Sequence, residues 1–314
     1  LNLFGVHHDV FPMPNGNILA LTIEEKPFSI PDEVKVPENY AFVDSLPWQG
    51  DRIVEWDSFG NEVWSWSVFD HFDRADWNQT DYEFLFIHSN PADFFYDWTH
   101  SNAVWYDELE NVIYLSVRNL SRITKINYST GEIIWNMGKD MPSGDVTVGT
   151  DLEFSGQHSV KILDNRNIMI YDNGIGNSQF ISRGLEISIS EGDQIPEAEI
   201  FWEYFLGEGL GSGLMSDCDR LSNGNSLLTS TTVNYILEVS PDNEIVWAIL
   251  PNQDGSTYRS ERVPGLYRHA FTVIQPNFID GENGPTLTSI PGEISLNYRL
   301  INEGRERETF HYSL

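Results

Sequence analysis

The stretch H-D-V-F-P-M-P-N-G-N-I-L-A-L (residues 8–21) returns later in the chain as H-S-V-K-I-L-D-N-R-N-I-M-I-Y (residues 158–171). In both copies an Asn follows the His by seven residues, a second Asn comes two residues later, and an apolar strand begins next. A variant opens at His100, H-S-N-A-V-W-Y-D-E-L-E-N-V-I-Y-L, with two extra residues before the strand resumes. Repeats of this size indicate stacked or radial supersecondary units.

A second repeated phrase follows the first. Residues 52–64, 123–135 and 235–247 each contain an apolar run, a turn rich in Gly or Asn, and a second run that ends in Trp. This pattern predicts a β-hairpin. The histidine phrase is itself a strand, a turn and a strand. Each unit therefore has four predicted strands.

The spacing of the units predicts a β-propeller. Unit starts at residues 100, 158 and 216 are 58 residues apart, and the longer span from 8 to 100 leaves room for an insertion at residues 24–50. Four antiparallel strands per repeat describe a propeller blade. A weaker last unit opens near His269, and we treat residues 1–314 as a single all-β domain. The chain begins inside an apparent strand and without Met, so we expect N-terminal material of the parent protein to be missing.

Composition narrows the class of partner. The net charge of −30 argues against nucleic acid and anionic membranes as partners, and an acidic solvated surface explains it. No apolar run is long enough to span a bilayer. The single cysteine, Cys218, excludes an internal disulfide and a cysteine-based zinc site.

The repeat makes the histidines candidates for a shared site. The first strand of each blade lines the central channel, so His8, His100 and His158 should gather at one mouth. Arg118 ends the strand that returns from His100 and should lie near the same mouth. Imidazoles and a guanidinium suit a tetrahedral oxyanion, and a neutral imidazole can act as a nucleophile or a proton carrier.

Other interpretations of these residues remain open. Repeated histidines also hold blades together, and histidine clusters bind zinc or copper. The nearby arginine argues against a metal, and we predict neither a metal nor a cofactor. Of the adjacent pair His7 and His8, we favour His8 because it shares the register of His158, and because neighbouring strand residues point to opposite faces. We assign no chemistry to His71 and His88.

Residues 97–138, from D-W-T-H-S-N-A through S-V-R to T-G-E-I-I-W-N-M-G, resemble the bacterial arylsulfate sulfotransferases. H-H-D-V-F-P-M-P-N-G-N, S-G-Q-H-S-V-K-I-L, S-R-G-L-E-I-S-I and L-S-N-G-N-S-L-L extend the resemblance over residues 7–250, in the family's order. The segment from D-W-T-H-S-N-A to S-V-R is specific, whereas the turn motifs are general to propellers.

The resemblance implies a six-bladed propeller that moves a sulfuryl group from a phenolic sulfate ester to another phenol, without a nucleotide sulfate donor. It implies a ping-pong mechanism in which His158 becomes sulfated, while His100 and Arg118 hold the sulfuryl oxygens and His8 is the fourth member. Trp98, Trp105 and Phe95 are candidates for stacking on the phenols, although core packing explains most such residues.

The resemblance also implies a periplasmic or other extracytoplasmic location, although the chain contains no signal peptide, and it leaves a homodimer open. The partners would be a phenolic sulfate donor and a phenol acceptor, with no nucleic acid and no membrane. Two alternative functions remain. T-G-E-I-I-W is similar to a hairpin of the quinoprotein dehydrogenases, and a propeller can also be a binding protein without enzymatic activity.

Overall fold

Antiparallel β-sheets make up nearly all of the regular structure in the computed structural model of the protein. The structure describes residues 5–78, 94–149, 152–175, 181–190, 196–250 and 256–262, together with four short strands between residues 271 and 302. An all-β fold is thereby confirmed, with almost no helix in the part of the chain that is described.

Four sheets are meanders of four consecutive strands, as the repeat predicts. The first contains β1 (Val6–Pro12), β2 (Ile18–Ser29), β3 (Ser45–Trp56) and β4 (Glu62–Ser67), and the short β5 (Tyr96–Asp97) pairs in parallel with β3. The second contains β6 (Ser101–Asp107), β7 (Val112–Val117), β8 (Arg122–Asn127) and β9 (Ile133–Gly138). The third contains β10 (His158–Ile162), β11 (Ile168–Asp172), β12 (Arg183–Ser190) and β13 (Glu197–Phe205). The fourth contains β14 (Asp217–Arg220), β15 (Ser226–Ser230), β16 (Tyr235–Val239) and β17 (Ile245–Ile249). Their first strands begin within two residues of the predicted starts at 8, 100, 158 and 216.

The three hairpins that end in Trp are present as antiparallel pairs: β3 with β4, β8 with β9, and β16 with β17. The predicted insertion at residues 24–50 extends β2 and β3 beyond the sheet, because the two strands stay paired from Ile18 opposite Trp56 to Ser29 opposite Ser45. A single 3₁₀ turn (Glu38–Tyr40) lies in the loop between them. The one α-helix in the described residues, α1 (Val68–His71), is a single turn capped by the hydroxyl of Ser67.

Buried glutamates explain the paired asparagines of the repeat. The side-chain amides of Asn15 and Asn17 donate to Glu55 Oε1 on β3, at 3.1 and 2.6 Å. The third sheet repeats the arrangement, with Asn165 and Asn167 donating to Glu186 on β12. Both carboxylates are almost fully buried, so these donors stabilise a charge that would otherwise be costly. The Asn pair therefore ties the first turn of a sheet to its third strand.

Apolar side chains fill the space between consecutive sheets. One cluster joins the first and second sheets, a second joins the second and third, and a third joins the third and fourth. The first strands of successive sheets also contact one another: β1 contacts β6, β6 contacts β10, and β10 contacts β14. These contacts bring the beginnings of the sheets together, as the proposed convergence of the histidines requires.

The chain divides into two compact units: Leu1–Arg220 with Ser226–Ser260, and Leu221–Asn225 with Glu261–Leu314. The four meanders belong to the first. In the second, β18 (Phe271–Ile274) pairs with β21 (Arg299–Asn302), and β19 (Phe278–Gly281) pairs with β20 (Gly284–Leu287). The predicted unit start near His269 lies outside the described residues. A single domain and a closed ring therefore stay predictions.

Within the described residues, none of the helices has the length and apolar character needed to cross a membrane. Cys218 is free and buried on β14.

Candidate active site

The three histidines of the repeat lie together in the structure. The ring of His8 is 4.8 Å from the ring of His100 and 5.8 Å from that of His158, measured between centroids. They belong to the starts of β1, β6 and β10, which are the strands that contact one another. The three histidines therefore converge, as expected from their equivalent positions in the repeat.

A β-bulge at the start of each of these strands aims the side chains. The pairing register shifts between His7 and Val10, between Ser101 and Ala103, and between His158 and Lys161. His8 and His100 have positive φ angles, of 56° and 48°. This backbone conformation is uncommon for non-glycine residues and costs about 1 kcal/mol or more. Bulges re-aim side chains near functional sites, and here they turn the imidazoles toward a common point.

The bulge also decides the relation of His7 to His8. The alternation of a regular strand would separate the two rings, but the register shift and the positive φ of His8 bring them into edge contact, 4.9 Å apart. Nδ1 of His7 lies 2.7 Å from Nδ1 of His8, and Nε2 of His7 lies 3.2 Å from Oδ1 of Asp51. The expectation that the side chains of His7 and His8 point to opposite faces of the strand is therefore wrong. His8 is the one whose ring lies next to those of His100 and His158.

Asp51 is a buried carboxylate in the middle of β3. Its Oδ2 accepts a hydrogen bond from the Thr99 hydroxyl and one of 2.7 Å from the backbone N–H of Ser101. Burial alone would raise the pKa of Asp51, but the neighbouring His7 ring and the hydrogen bonds from Thr99 and Ser101 more than offset it, and the pKa is lowered. Asp51 is consequently ionised at neutral pH and presents a fixed negative charge to His7.

His100 and Arg118 flank the paired ends of β6 and β7. Ser101 pairs with Val117, so the residue before one strand and the residue after the other are neighbours, as predicted. Nδ1 of His100 contacts Oδ2 of Asp97 on β5. Arg118 donates to the side-chain carbonyl of Asn119 at 2.8 Å and to the backbone carbonyl of Gly213 at 3.3 Å. The His100 ring and the Arg118 guanidinium are thus each restrained by neighbouring oxygen atoms of the protein.

His158 is the most deeply buried of the cluster, with 1% of its surface exposed. Its Nδ1 is buried and has no hydrogen-bond partner among the described residues, while its Nε2 lies 3.4 Å from the Tyr258 hydroxyl. Burial, followed by electrostatic interactions with His8, Arg259, His100 and Arg118, holds the pKa of His158 well below its ordinary value of 6.5. The imidazole is therefore neutral at neutral pH, which leaves a nitrogen lone pair for reaction.

The environment of His8 has the same effect. Burial, and then the nearby His100 and His7, lower the pKa of His8 to about 4, although Asp51 and Asp97 act in the opposite direction. Two neutral imidazoles thus lie side by side near the guanidinium of Arg118.

Sequence reasoning missed Tyr258 and Arg259, which come from the strand-free segment 256–262. The Tyr258 ring lies 5.4 Å from that of His158 and 6.5 Å from that of His8. Arg259 donates to Asp9 Oδ1 at 3.1 Å, and its Nε is 3.9 Å from Asp217 Oδ2. Burial raises the pKa of Tyr258 to about 12, so its hydroxyl keeps its proton. Neither Tyr258 nor Arg259 occupies a position that recurs in the repeat.

The other predicted residues have different fates. Trp98 is fully buried in the core between the first two sheets, and Trp105 packs at the edge of Phe11. Phe95 is 42% exposed. His71 stacks on Trp66, away from the cluster, and His88 lies outside the described residues. No group of three or more His, Cys, Asp or Glu side chains within the described ranges is arranged to hold a metal ion.

Fold and site together define a class: an all-β repeat protein whose successive four-stranded sheets bring histidines and arginines to one end of their first strands. The chain belongs to the arylsulfotransferase (ASST) family, whose model matches residues 1–254. That match covers His8, His100, Arg118 and His158, and it confirms the resemblance drawn from the motifs. Membership supports an arylsulfotransferase function in general terms.

Other comparisons add less. No curated protein matches the chain. One solved structure with similarity to it is a protein of unknown function from Bacteroides caccae, with 14% sequence identity and a TM-score of 0.40. That alignment covers 67% of this chain and 57% of the other. The chain therefore spans little more than half of that protein's length.

Proposed function

We propose that the protein is an aryl-sulfate sulfotransferase that moves a sulfuryl group from a phenolic sulfate ester to another phenol through a sulfated His158. The observation that carries this proposal is the state of His158: a neutral, buried imidazole with two other imidazoles beside it. Its Nδ1 is buried without a hydrogen-bond partner among the described residues, and we assign the attack to Nε2, which faces the Tyr258 hydroxyl. Family membership supports the same reaction class.

In the first half-reaction the Nε2 lone pair of His158 attacks the sulfur of the donor. A nitrogen–sulfur bond forms, the bond between sulfur and the phenol oxygen breaks, and the aryloxide leaves with the electron pair. A proton supplied by the site then converts the aryloxide to a phenol. A phenolate is a moderate leaving group, so this step is within reach of a neutral imidazole.

The second half-reaction reverses these events with a new phenol. The acceptor gives its proton to the site, its oxygen attacks the sulfur held on His158, and the nitrogen–sulfur bond breaks. The protons exchanged in the two halves cancel, so the site returns to its starting state. A histidine imidazole can carry the proton in both directions.

Arg118 and His100 stabilise the charge on the sulfuryl oxygens. Two acceptors, Asn119 and Gly213, restrain the Arg118 guanidinium, and Asp97 orients the His100 ring. Donors held in place before the reaction stabilise developing charge without reorganising during it. His8 completes the set and takes part in proton transfer.

We further propose that the four meanders are blades of a propeller. Their strand order and the contacts among their first strands support this architecture. An extracytoplasmic location, a phenolic sulfate and a phenol as the reaction partners, and independence from a nucleotide donor rest on family resemblance. A dehydrogenase or a binding propeller would not need a neutral histidine beside two other imidazoles.

The test is the release of 4-nitrophenol from 4-nitrophenyl sulfate, with and without a phenol acceptor and with no nucleotide donor present. Wild-type protein should turn over only when acceptor is present, and without acceptor it should retain one sulfuryl group on the peptide that contains His158, detected by mass spectrometry. His158→Asn removes the nucleophile at similar size and should lose both signals, while His71→Gln serves as the matched loss of a remote imidazole.

Each contrary result has a distinct meaning. Turnover that needs no acceptor would identify a sulfatase. A folded wild-type protein that releases no phenol would favour a binding propeller, and full activity in His158→Asn would remove His158 from the mechanism.

A further inference from the structure

The reaction described above does not use His7 and Asp51, which adjoin His8. Two contacts connect them: Asp51 Oδ1 lies 3.2 Å from His7 Nε2, and His7 Nδ1 lies 2.7 Å from His8 Nδ1. The ring of His8 is in turn next to the rings of His100 and His158. A buried carboxylate is thus linked to the reacting cluster through two imidazoles.

The 2.7 Å distance between the two Nδ1 atoms requires one proton between them. Two lone pairs would repel at that distance, and two N–H groups would clash. In one state His7 is protonated on both nitrogens beside Asp51, and its Nδ1–H donates to His8, whose own proton is then on Nε2. In the other state His7 is neutral, accepts from Nδ1–H of His8, and leaves the His8 Nε2 with a lone pair.

These two states differ by a single proton at His8 Nε2. We propose that Asp51, His7 and His8 form a proton relay that gives a proton to the departing phenolate in the first half-reaction and takes one from the acceptor phenol in the second. His7 and Asp51 act through His8 as positioning residues, and only His8 meets the phenol oxygen. This inference rests on the proposed sulfuryl transfer.

Protons balance in each direction. When the donor's sulfur–oxygen bond breaks, the proton on His8 Nε2 passes to the aryloxide, while the proton on His7 Nδ1 moves to His8 Nδ1. His7 becomes neutral and keeps the proton on Nε2, the nitrogen 3.2 Å from Asp51 Oδ1. The acceptor phenol then restores the first state by giving its proton to His8 Nε2, and the proton between the two rings returns to His7.

The surroundings of His8 favour a relay over a simple protonated histidine. The ring is partly buried next to two other imidazoles, which disfavours a positive charge on it. In the relay His8 stays neutral in both states, and the positive charge appears only on His7, which faces the ionised Asp51. Thr99 and Ser101 hold that carboxylate from its other oxygen.

The experiment compares two donors, phenyl sulfate and 4-nitrophenyl sulfate, in the full chain. Phenolate needs a proton as it leaves, whereas 4-nitrophenolate is stable enough to leave without one. His7→Gln and Asp51→Asn should therefore lower kcat/KM for phenyl sulfate by about 100-fold, the range of general acid catalysis, and for 4-nitrophenyl sulfate by less than about fivefold. His71→Gln is the matched control.

A structural role would give a different result, since a disturbed site would slow both donors equally. Asp97→Asn is the competing variant, because it acts on His100. If this variant, rather than Asp51→Asn, produced the selective loss with phenyl sulfate, the proton would pass through His100 and the relay would be overturned.

A second measurement keeps the relay testable even if the wild-type protein transfers no sulfuryl group. Nitrogen NMR of protein with labelled histidine should detect one proton bound between His7 Nδ1 and His8 Nδ1, and this signal should disappear in His7→Gln. Its absence from the wild-type protein would overturn the relay, whereas its presence in a protein that releases no phenol would reject only the sulfuryl transfer.

Discussion

The hydroxyl oxygen of Tyr258 lies 3.4 Å from Nε2 of His158, although the two residues are 100 positions apart in the chain. Nδ1 of the same imidazole is buried without a hydrogen-bond partner among the described residues, so the tyrosine hydroxyl contacts the nitrogen to which we assign the proposed attack. Arg259, bound to Asp9 and close to Asp217, fixes the segment that carries the tyrosine. Tyr258 and Arg259 thus add a contact to the histidine cluster from outside the repeat.

Tyr258→Phe tests the contribution of that hydroxyl. The tyrosine keeps its proton because burial raises its pKa to about 12, so its hydroxyl is available to donate to His158 or to an oxygen of the bound substrate. Loss of one such donor should lower kcat/KM for an aryl sulfate by roughly 10- to 100-fold, near the lower range for an oxyanion donor. Tyr204→Phe, on the outer strand β13, should have no effect. Equal losses in both variants would contradict a specific role.

Arg118→Lys tests the geometry of the oxyanion site. The guanidinium is fixed by Asn119 and Gly213, and a lysine ammonium retains the charge but loses the planar fork that matches two sulfuryl oxygens. We expect kcat to fall about 10- to 100-fold while thermal stability changes little. Arg52→Lys, which makes the same change in a more exposed ion pair with Glu62, is the control. A wild-type rate in Arg118→Lys would mean that charge alone suffices.

His8 should make stability depend on pH. Its pKa is about 4 in the folded protein against an ordinary 6.5, so the unfolded chain binds more protons between those values. Stability is therefore complete above the unfolded pKa and falls as pH drops toward the folded pKa. Between pH of about 7.5 and 5, this residue should contribute a loss of about 1–2 kcal/mol in the free energy of unfolding.

Urea denaturation at these two pH values measures the effect, and the comparison with His8→Gln isolates the residue. The variant should lose less stability than the wild type on acidification, and His71→Gln controls for the removal of an imidazole elsewhere. If His8→Gln lost as much stability as the wild type, the folded pKa of His8 would not lie below its unfolded value.

The sequence predicted the sheets well because strand alternation and turn residues are local signals. Four strands per unit, the three Trp hairpins and the convergence of His8, His100 and His158 all follow from a repeated register. The side chains that contact these histidines could not be predicted from the repeat. Asp51 lies next to the predicted insertion and acquires its role only through β3 pairing with β5, and Tyr258 has no counterpart in the repeat.

The paired asparagines show a similar limit. A turn is the ordinary explanation for N-G-N, and the turn is present, but both side chains also bind a buried glutamate on the third strand. That contact depends on which residue of β3 lies near the turn, which a single repeat does not reveal. A Glu recurring at corresponding hairpin positions, Glu55 and Glu186, was the available signal.

The buried ion pair between Arg122 and Asp76 should be the most sensitive structural element near the site. Both side chains are fully enclosed, and Asp76 also accepts from the backbone N–H and the hydroxyl of Ser143. Its backbone carbonyl accepts from the indole of Trp98, two residues before His100. Asp76→Asn would leave a buried arginine without a countercharge, at a cost of about 3–5 kcal/mol in the free energy of unfolding.

Denaturation of Asp76→Asn beside Asp73→Asn, an exposed neighbour on the same turn, measures this cost. Replacement of both partners, with Arg122→Met added to Asp76→Asn, should recover part of the loss because no unpaired charge remains. Since Trp98 positions the chain that leads into His100, the single variant should also lower sulfuryl transfer at temperatures where it is still folded. A decrease in the free energy of unfolding below about 1 kcal/mol would mean that water or another group solvates the Arg122 guanidinium in the variant.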